Sequence, residues 1–152
     1  MSNYISNVLI GLLVLFIIFY NQVRVRQVRN DMNLIFPIIL IVLGLSNLKN
    51  YFNTHTLTFI SLISILISLF ILAVAMGAIR AYTVKLWYEG SILFRQGTLL
   101  TIVLWIASLI LHFTIDYAGH TGQATLLIYY GITLFTQRLV VYSRSKHIVS
   151  NT

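Results

Sequence analysis

The sequence predicts an all-α integral membrane protein: a five-span helical bundle, N-terminus outside and C-terminus inside, with a short cytosolic β-hairpin-like loop between spans three and four. Three observations lead there. Apolar residues make up 59% of the 152 positions and charged residues 9%, against roughly half and roughly a quarter in soluble domains. A soluble fold of this size leaves too much surface wet to hide that excess. The apolar residues also gather into runs of about membrane-spanning length. Finally, of the ten Lys and Arg, nine fall in alternate loops and only Lys49 falls on the opposite side. Basic residues stay cytoplasmic, so the count sets the orientation.

The chain reads as a single membrane domain over residues 1–152, with spans at about 4–20, 34–52, 57–79, 98–116 and 124–141. In the first span, Tyr4 and Tyr20 stand near opposite interfaces, where amphipathic rings are favoured. No Lys or Arg precedes Arg24, so this run reads as a retained anchor rather than a cleaved signal. The linker after it carries Arg24, Arg26 and Arg29. This cluster determines topology and is the candidate contact for anionic lipid headgroups.

The second span opens with Pro37 in its first turn, where a missing N–H costs little. Gly44 and Ser46 allow close helix approach, and Lys49 can snorkel to the interface. His55 lies in the short loop that follows. The third span presents Ser61, Ser64 and Ser68 at helical spacing, with Ala73 and Gly77 further on. Small and hydroxylated residues in that pattern let helices pack closely in lipid. A polar permeation lining is the alternative.

Residues 80–98 are the only long polar interval between apolar runs. Residues 83–87 and 92–96 alternate β-branched, aromatic and polar side chains around a turn signal at Tyr88, Glu89, Gly90 and Ser91. With Glu89 and Gly90 as the turn, Trp87 opposes Ile92 and Lys85 opposes Phe94. Lys85, Trp87, Ile92 and Phe94 then share one face. An isolated hairpin is marginal in water, so that face needs headgroups, helix ends or a partner. An irregular interfacial loop is the competing expectation. The candidate interaction residues are Arg80, Lys85, Trp87, Glu89, Gly90, Phe94 and Arg95.

The fourth span carries Trp105 at mid-depth and His112 one turn from its end. His112, Asp116 and His120 are spaced four apart and would share one face of a continuous helix. Imidazole and carboxylate are ligands for a divalent metal such as zinc, so these three are the candidate metal residues. Gly119 and Gly122 are helix breakers, and the alternative is that His120 leaves the register. The fifth span holds Tyr129, Tyr130, Gly131, Thr133 and Thr136, and the tail beyond it carries Arg144, Lys146 and His147.

Several function classes are excluded or disfavoured. The absence of cysteine removes disulfides, thiolate metal sites and thiol catalysis. No G-x-S-x-G, H-E-x-x-H or Walker pattern is present, so no enzyme and no cofactor is expected. The net charge of +7 sits beside apolar runs, which points to the lipid bilayer and not to nucleic acid. Ionisable residues within the expected spans are scarce, which argues against a proton-coupled pump.

Arg80, Thr83, Trp87, Gly90, the run Arg95, Gln96, Gly97 and Thr98, and Trp105 carry a resemblance. In arrangement they are similar to the CcdC-like family of small bacterial integral membrane proteins, over about half of the chain. The resemblance implies the fold class and a multi-pass place in the bacterial cytoplasmic membrane. The family name implies an association with cytochrome c biogenesis. The expected function is that of a non-enzymatic accessory or regulatory membrane protein. Its cytosolic hairpin and basic rim would contact lipid headgroups or a membrane-protein partner. The alternatives are a small transporter or permease subunit, built as a homo-oligomer, and a metal- or haem-binding membrane protein.

Overall fold

The computed structural model describes residues 2–31, 33–121 and 124–150. Most of them are helical. The order is α1 (Ser2–Val23), β1 (Arg26–Gln27), α2 (Val28–Asp31), α3 (Ile35–Thr54) and α4 (Phe59–Leu66). A π-helical segment (Ile67–Leu72), α5 (Ala73–Thr83), β2 (Lys85–Glu89), β3 (Ile92–Gln96), α6 (Leu99–Ala118) and α7 (Leu126–Ser150) complete it. Helix α4, the π segment and α5 form one continuous rod, Phe59–Thr83. Among the described residues, that rod, Ile35–Thr54 and Leu99–Ala118 are the three helices long and apolar enough to cross a membrane.

Helix starts follow from local chemistry. Thr58 caps α4 by accepting from Ser61 N–H at 3.2 Å. Thr98 caps α6 through a reciprocal box with Thr101: Thr101 N–H donates to Thr98 Oγ1 and Thr98 N–H donates to Thr101 Oγ1. Each cap satisfies donors that the first turn leaves open.

The distribution of polarity is inverted relative to a soluble protein. Phe16, Phe59, Phe70 and Leu99 are 68%, 77%, 65% and 77% exposed. Meanwhile Arg80, Thr101, Ser108, His112, Thr125 and Thr133 are buried. A soluble monomer rarely exposes so continuous an apolar surface. In a bilayer that surface is the solvated one, and polar groups turn inward to find partners.

Helix α7 is the centre of the bundle. Tyr129, Tyr130, Thr133, Leu134, Gln137 and Val141 are all buried on it. This explains why it is less apolar than its neighbours: it faces protein on most sides. Gln137 makes a reciprocal amide pair with Gln22 of α1, both hydrogen bonds at 3.1 Å. The helix runs on to Ser150, well past the span expected to end near 141.

The three-stranded antiparallel sheet has the order β1-β3-β2. The hairpin is present, but its register differs from expectation. Trp87 pairs with Phe94, Glu89 with Ile92 and Lys85 with Gln96. The loop is therefore Gly90 and Ser91, not Glu89 and Gly90. Gly90 has φ +64° and occupies the first loop position, where a II′ turn takes glycine. The shift is two residues, which preserves parity, so Lys85, Trp87, Ile92 and Phe94 still share a face. Strand β1 was not expected. It pairs Arg26 with Arg95 and Gln27 with Phe94, drawing the first basic linker into the sheet.

The opposite face of the hairpin supplies Leu86 and Leu93 to a small core with Val28, Ala81, Val84 and Val141. The sheet thus rests on the ends of α5 and α7. Gly97 N–H donates to Gln22 O at 2.8 Å and Thr98 Oγ1 donates to Thr83 O at 2.9 Å. Arg138 reaches Asn33 O, and Arg144 reaches Ala81 O. These bonds gather the C-terminal ends of α1 and α5, the N-terminal ends of α3 and α6, and the last half of α7 at one end. At the other end Tyr51 OH donates to His120 O at 3.0 Å and Ser61 Oγ to Gly119 O at 2.8 Å.

Candidate functional site

Two regions concentrate chemistry: a groove at the sheet end and a polar seam inside the bundle. The groove lies between the hairpin tip, α2 and the last turns of α7, and encloses about 1270 Å³. Val28, Ile92 and Leu93 form its apolar part; Tyr88 and Tyr142 line it; Arg29 and Lys146 supply positive charge. Among the described side chains no acidic residue lines it. Arg29 and Lys146 are far apart in sequence, and the fold brings both to the wall of this groove. Lys146 Nζ stands 4.5 Å from the ring centre of Tyr142.

The residues expected to form an interaction surface divide. Lys85, Glu89 and Gly90 are exposed, and Trp87 and Phe94 are half-buried. The two rings stack at 6.0 Å and 22°, as cross-strand aromatic partners do, and Lys85 Nζ lies 5.8 Å over Trp87. Arg80 and Arg95 are not on that surface. Arg95 pairs with Leu86 on the inner face and is 5% exposed. Arg80 is fully buried, because α5 continues to Thr83 and carries it into the bundle. Of the headgroup candidates, Arg24 and Arg29 are exposed, whereas Arg26 donates to the side chain of Asn21.

The seam begins with Arg80. Its guanidinium carbon lies 3.6 Å above the Trp105 ring, its Nε donates to Met76 O at 3.1 Å, and its Nη1 approaches Ser108 Oγ at 3.5 Å. The Tyr129 hydroxyl faces Arg80, Ser108 and Thr133. The Tyr129 ring stacks on His112 at 4.2 Å. His112 Nδ1 is 2.6 Å from Ser68 Oγ, which the π-helical segment carries. A wide turn of this kind alters which residues face a neighbouring helix and is frequent at functional positions. His112 Nε2 is 3.3 Å from Asp116 Oδ2, and Asp116 accepts from Thr125 Oγ1 with both oxygens, at 3.0 and 2.9 Å.

The three candidate metal residues do not converge. His112 and Asp116 form a buried pair, but α6 ends at Ala118 and Gly119 caps it. His120 then takes φ +53° and is exposed, so its ring leaves the helical face that the spacing of four would require. Gly122, the second expected breaker, lies outside the described residues. Among the described residues no three His, Asp or Glu side chains form a group that could hold a metal ion.

Sequence reasoning missed the seam. In sequence Arg80 reads as the start of the polar interval because it ends an apolar run. Its signal was the continuation Ala81, Tyr82, Thr83, which keeps helical character, together with one tryptophan placed mid-span in the next helix. The chain matches no protein-family model, no curated protein and no solved structure.

Proposed function

We propose that this is a non-enzymatic accessory or regulatory protein of the bacterial cytoplasmic membrane that spans it five times, with its sheet end in the cytosol. Its groove holds the headgroup of an anionic phospholipid. The observation that carries the reading is the groove itself: Arg29 and Lys146 beside an apolar wall and two tyrosines, with no carboxylate among the described side chains that line it. Location supports it. The groove lies at the end where nine of the ten basic side chains belong by sequence, which is the end expected to meet the negatively charged leaflet. The apolar wall suits the first methylenes of the acyl chains, and tyrosine is favoured at headgroup depth. The bacterial membrane assignment rests on the CcdC-like resemblance together with the charge bias.

Each basic residue near an anionic surface contributes about 1 kcal/mol. Removing two should therefore weaken anionic-lipid binding by roughly tenfold or more. The check is native mass spectrometry of the purified protein titrated with phosphatidylglycerol and with phosphatidylcholine. Wild type is expected to retain the anionic lipid selectively. An Arg29→Ala, Lys146→Ala double variant is expected to lose that selectivity. Equal retention of phosphatidylglycerol by both proteins would remove the reading. A small transporter subunit is the second reading, favoured by the polar interior, and solute flux into liposomes containing only this protein would establish it.

A further inference from the structure

We propose that Arg80, Tyr129 and Thr133 form a buried site for a small monovalent anion of the halide class, enclosed by α5, α6 and α7. The site is independent of the lipid groove. Arg80 is 0% exposed, and among the described residues no carboxylate lies within ion-pair distance of it. Only part of its guanidinium is used: Nε is taken by Met76 O, Nη1 reaches Ser108 Oγ at the limit of hydrogen bonding, and Nη2 has no partner. Ser108 Oγ itself donates to Trp105 O at 3.0 Å, so its lone pairs are what it offers Arg80.

Two further buried hydroxyls belong to the same region, Tyr129 Oη and Thr133 Oγ1: neither makes a hydrogen bond of full geometry, although Tyr129 Oη sits close to both Ser108 and Thr133. They lie on one face of α7, four residues apart, and Tyr129 Oη faces both Arg80 and Thr133. Guanidinium N–H groups only donate, and both hydroxyls can donate. A set of donors around an unneutralised positive charge selects an acceptor that is itself negative. A cation is repelled. Water could satisfy the hydrogen bonds but would leave the charge uncompensated, and an unpaired buried charge is strongly unfavourable. Size follows from enclosure. Arg80, Tyr129 and Thr133 are all 0% exposed, and the indole of Trp105 closes the other side of the guanidinium at 3.6 Å. A monatomic halide asks less room there than a polyatomic oxyanion does. One turn beyond Arg80, Thr83 Oγ1 lies 2.8 Å from Arg80 O and 2.8 Å from Thr101 Oγ1, so hydroxyl groups continue from the site toward the sheet end.

The test uses the full-length protein in lipid nanodiscs, with Trp87→Phe leaving Trp105 as the sole tryptophan. Iodide is titrated against gluconate at constant ionic strength. Saturable quenching of Trp105 that chloride competes away is expected. Arg80→Gln is expected to weaken the apparent affinity at least tenfold. Tyr129→Phe with Thr133→Val, which keeps the Arg80–Trp105 contact, is expected to weaken it at least threefold and carries the test if Arg80→Gln does not fold. Quenching that stays linear in iodide in the folded protein, or a saturation curve unchanged in the hydroxyl variant, overturns the proposal.

Discussion

Trp105→Ala is expected to destabilise the bundle by about 3 kcal/mol, read from reversible unfolding in mixed micelles. Trp105 is 0% exposed and touches three other helices. Its ring meets Phe19 of α1 edge-on at 6.3 Å and 71°, Tyr130 of α7 at 6.0 Å and 53°, and the Arg80 guanidinium at 3.6 Å. Large-to-small changes at such positions cost about 3–5 kcal/mol in soluble cores. The lower end applies here, because lipid solvates an apolar side chain as well as the interior does and leaves mainly the cavity term. A desolvated cation–π contact adds about 2 kcal/mol, partly offset by relaxation. Trp105→Phe keeps a ring face for Arg80 and is expected to lose clearly less. Equal losses in the two variants would mean that the contact with Arg80 does not contribute.

Gly131→Ala is expected to cost about 1–3 kcal/mol, the range for overpacking a fitted interface. Helices α3 and α7 cross with their backbones nearly touching. A Cβ on Gly131 would stand 2.5 Å from Ile41 Cγ1, 2.9 Å from Pro37 O and 3.0 Å from Ile41 N. From the other side, a Cβ on Gly44 would stand 2.5 Å from Ile128 N. Backbone atoms cannot rotate away, so the helices must separate. Gly11→Ala in α1 is the matched control: its Cβ would meet nothing within 4 Å, and alanine favours helix by about 1 kcal/mol. The same unfolding assay should place Gly131→Ala below wild type and Gly11→Ala at or above it. If Gly131→Ala is neutral, close backbone approach is not what holds α3 to α7.

The contrast between those two glycines shows what sequence can and cannot disclose. Spanning helices are legible because lipid imposes one crude requirement, a sufficient length of apolar residues, and Ile35–Thr54, Phe59–Thr83 and Leu99–Ala118 meet it. The hairpin is legible because alternation around Gly90 is a local signal. Its register turns on one backbone angle: with Gly90 and Ser91 as the loop, Gly90 takes the positive φ that the first position of a II′ turn needs, whereas a loop of Glu89 and Gly90 would demand it of Glu89. Strand β1 has two residues and no pattern of its own; it exists because β3 offers an open edge. The metal triad fails on geometry that one residue controls, since Gly119 ends α6 before His120 can join the face of His112 and Asp116.

Arg80 is the most instructive case. A basic residue after an apolar run ordinarily marks an interface. Here its position on α5 and the presence of an indole on α6 turn it inward, and neither fact is visible in the spacing of the polar interval. The groove has the same character: Arg29 and Lys146 are unremarkable in their own segments and acquire meaning only when the fold brings both to one groove.

The central claim is that the sheet end, with its basic rim and groove, lies in the cytosol. The chain contains no cysteine, so single cysteines introduced at Ser91 and at Thr56 report on it directly. Ser91 is in the hairpin loop and Thr56 is in the loop at the far end of the bundle. Intact cells are treated with a membrane-impermeant maleimide before and after permeabilisation. Labelling of Thr56→Cys in intact cells, and of Ser91→Cys only after permeabilisation, is the predicted result. Labelling of Ser91→Cys in intact cells, with Thr56→Cys protected, would contradict the account.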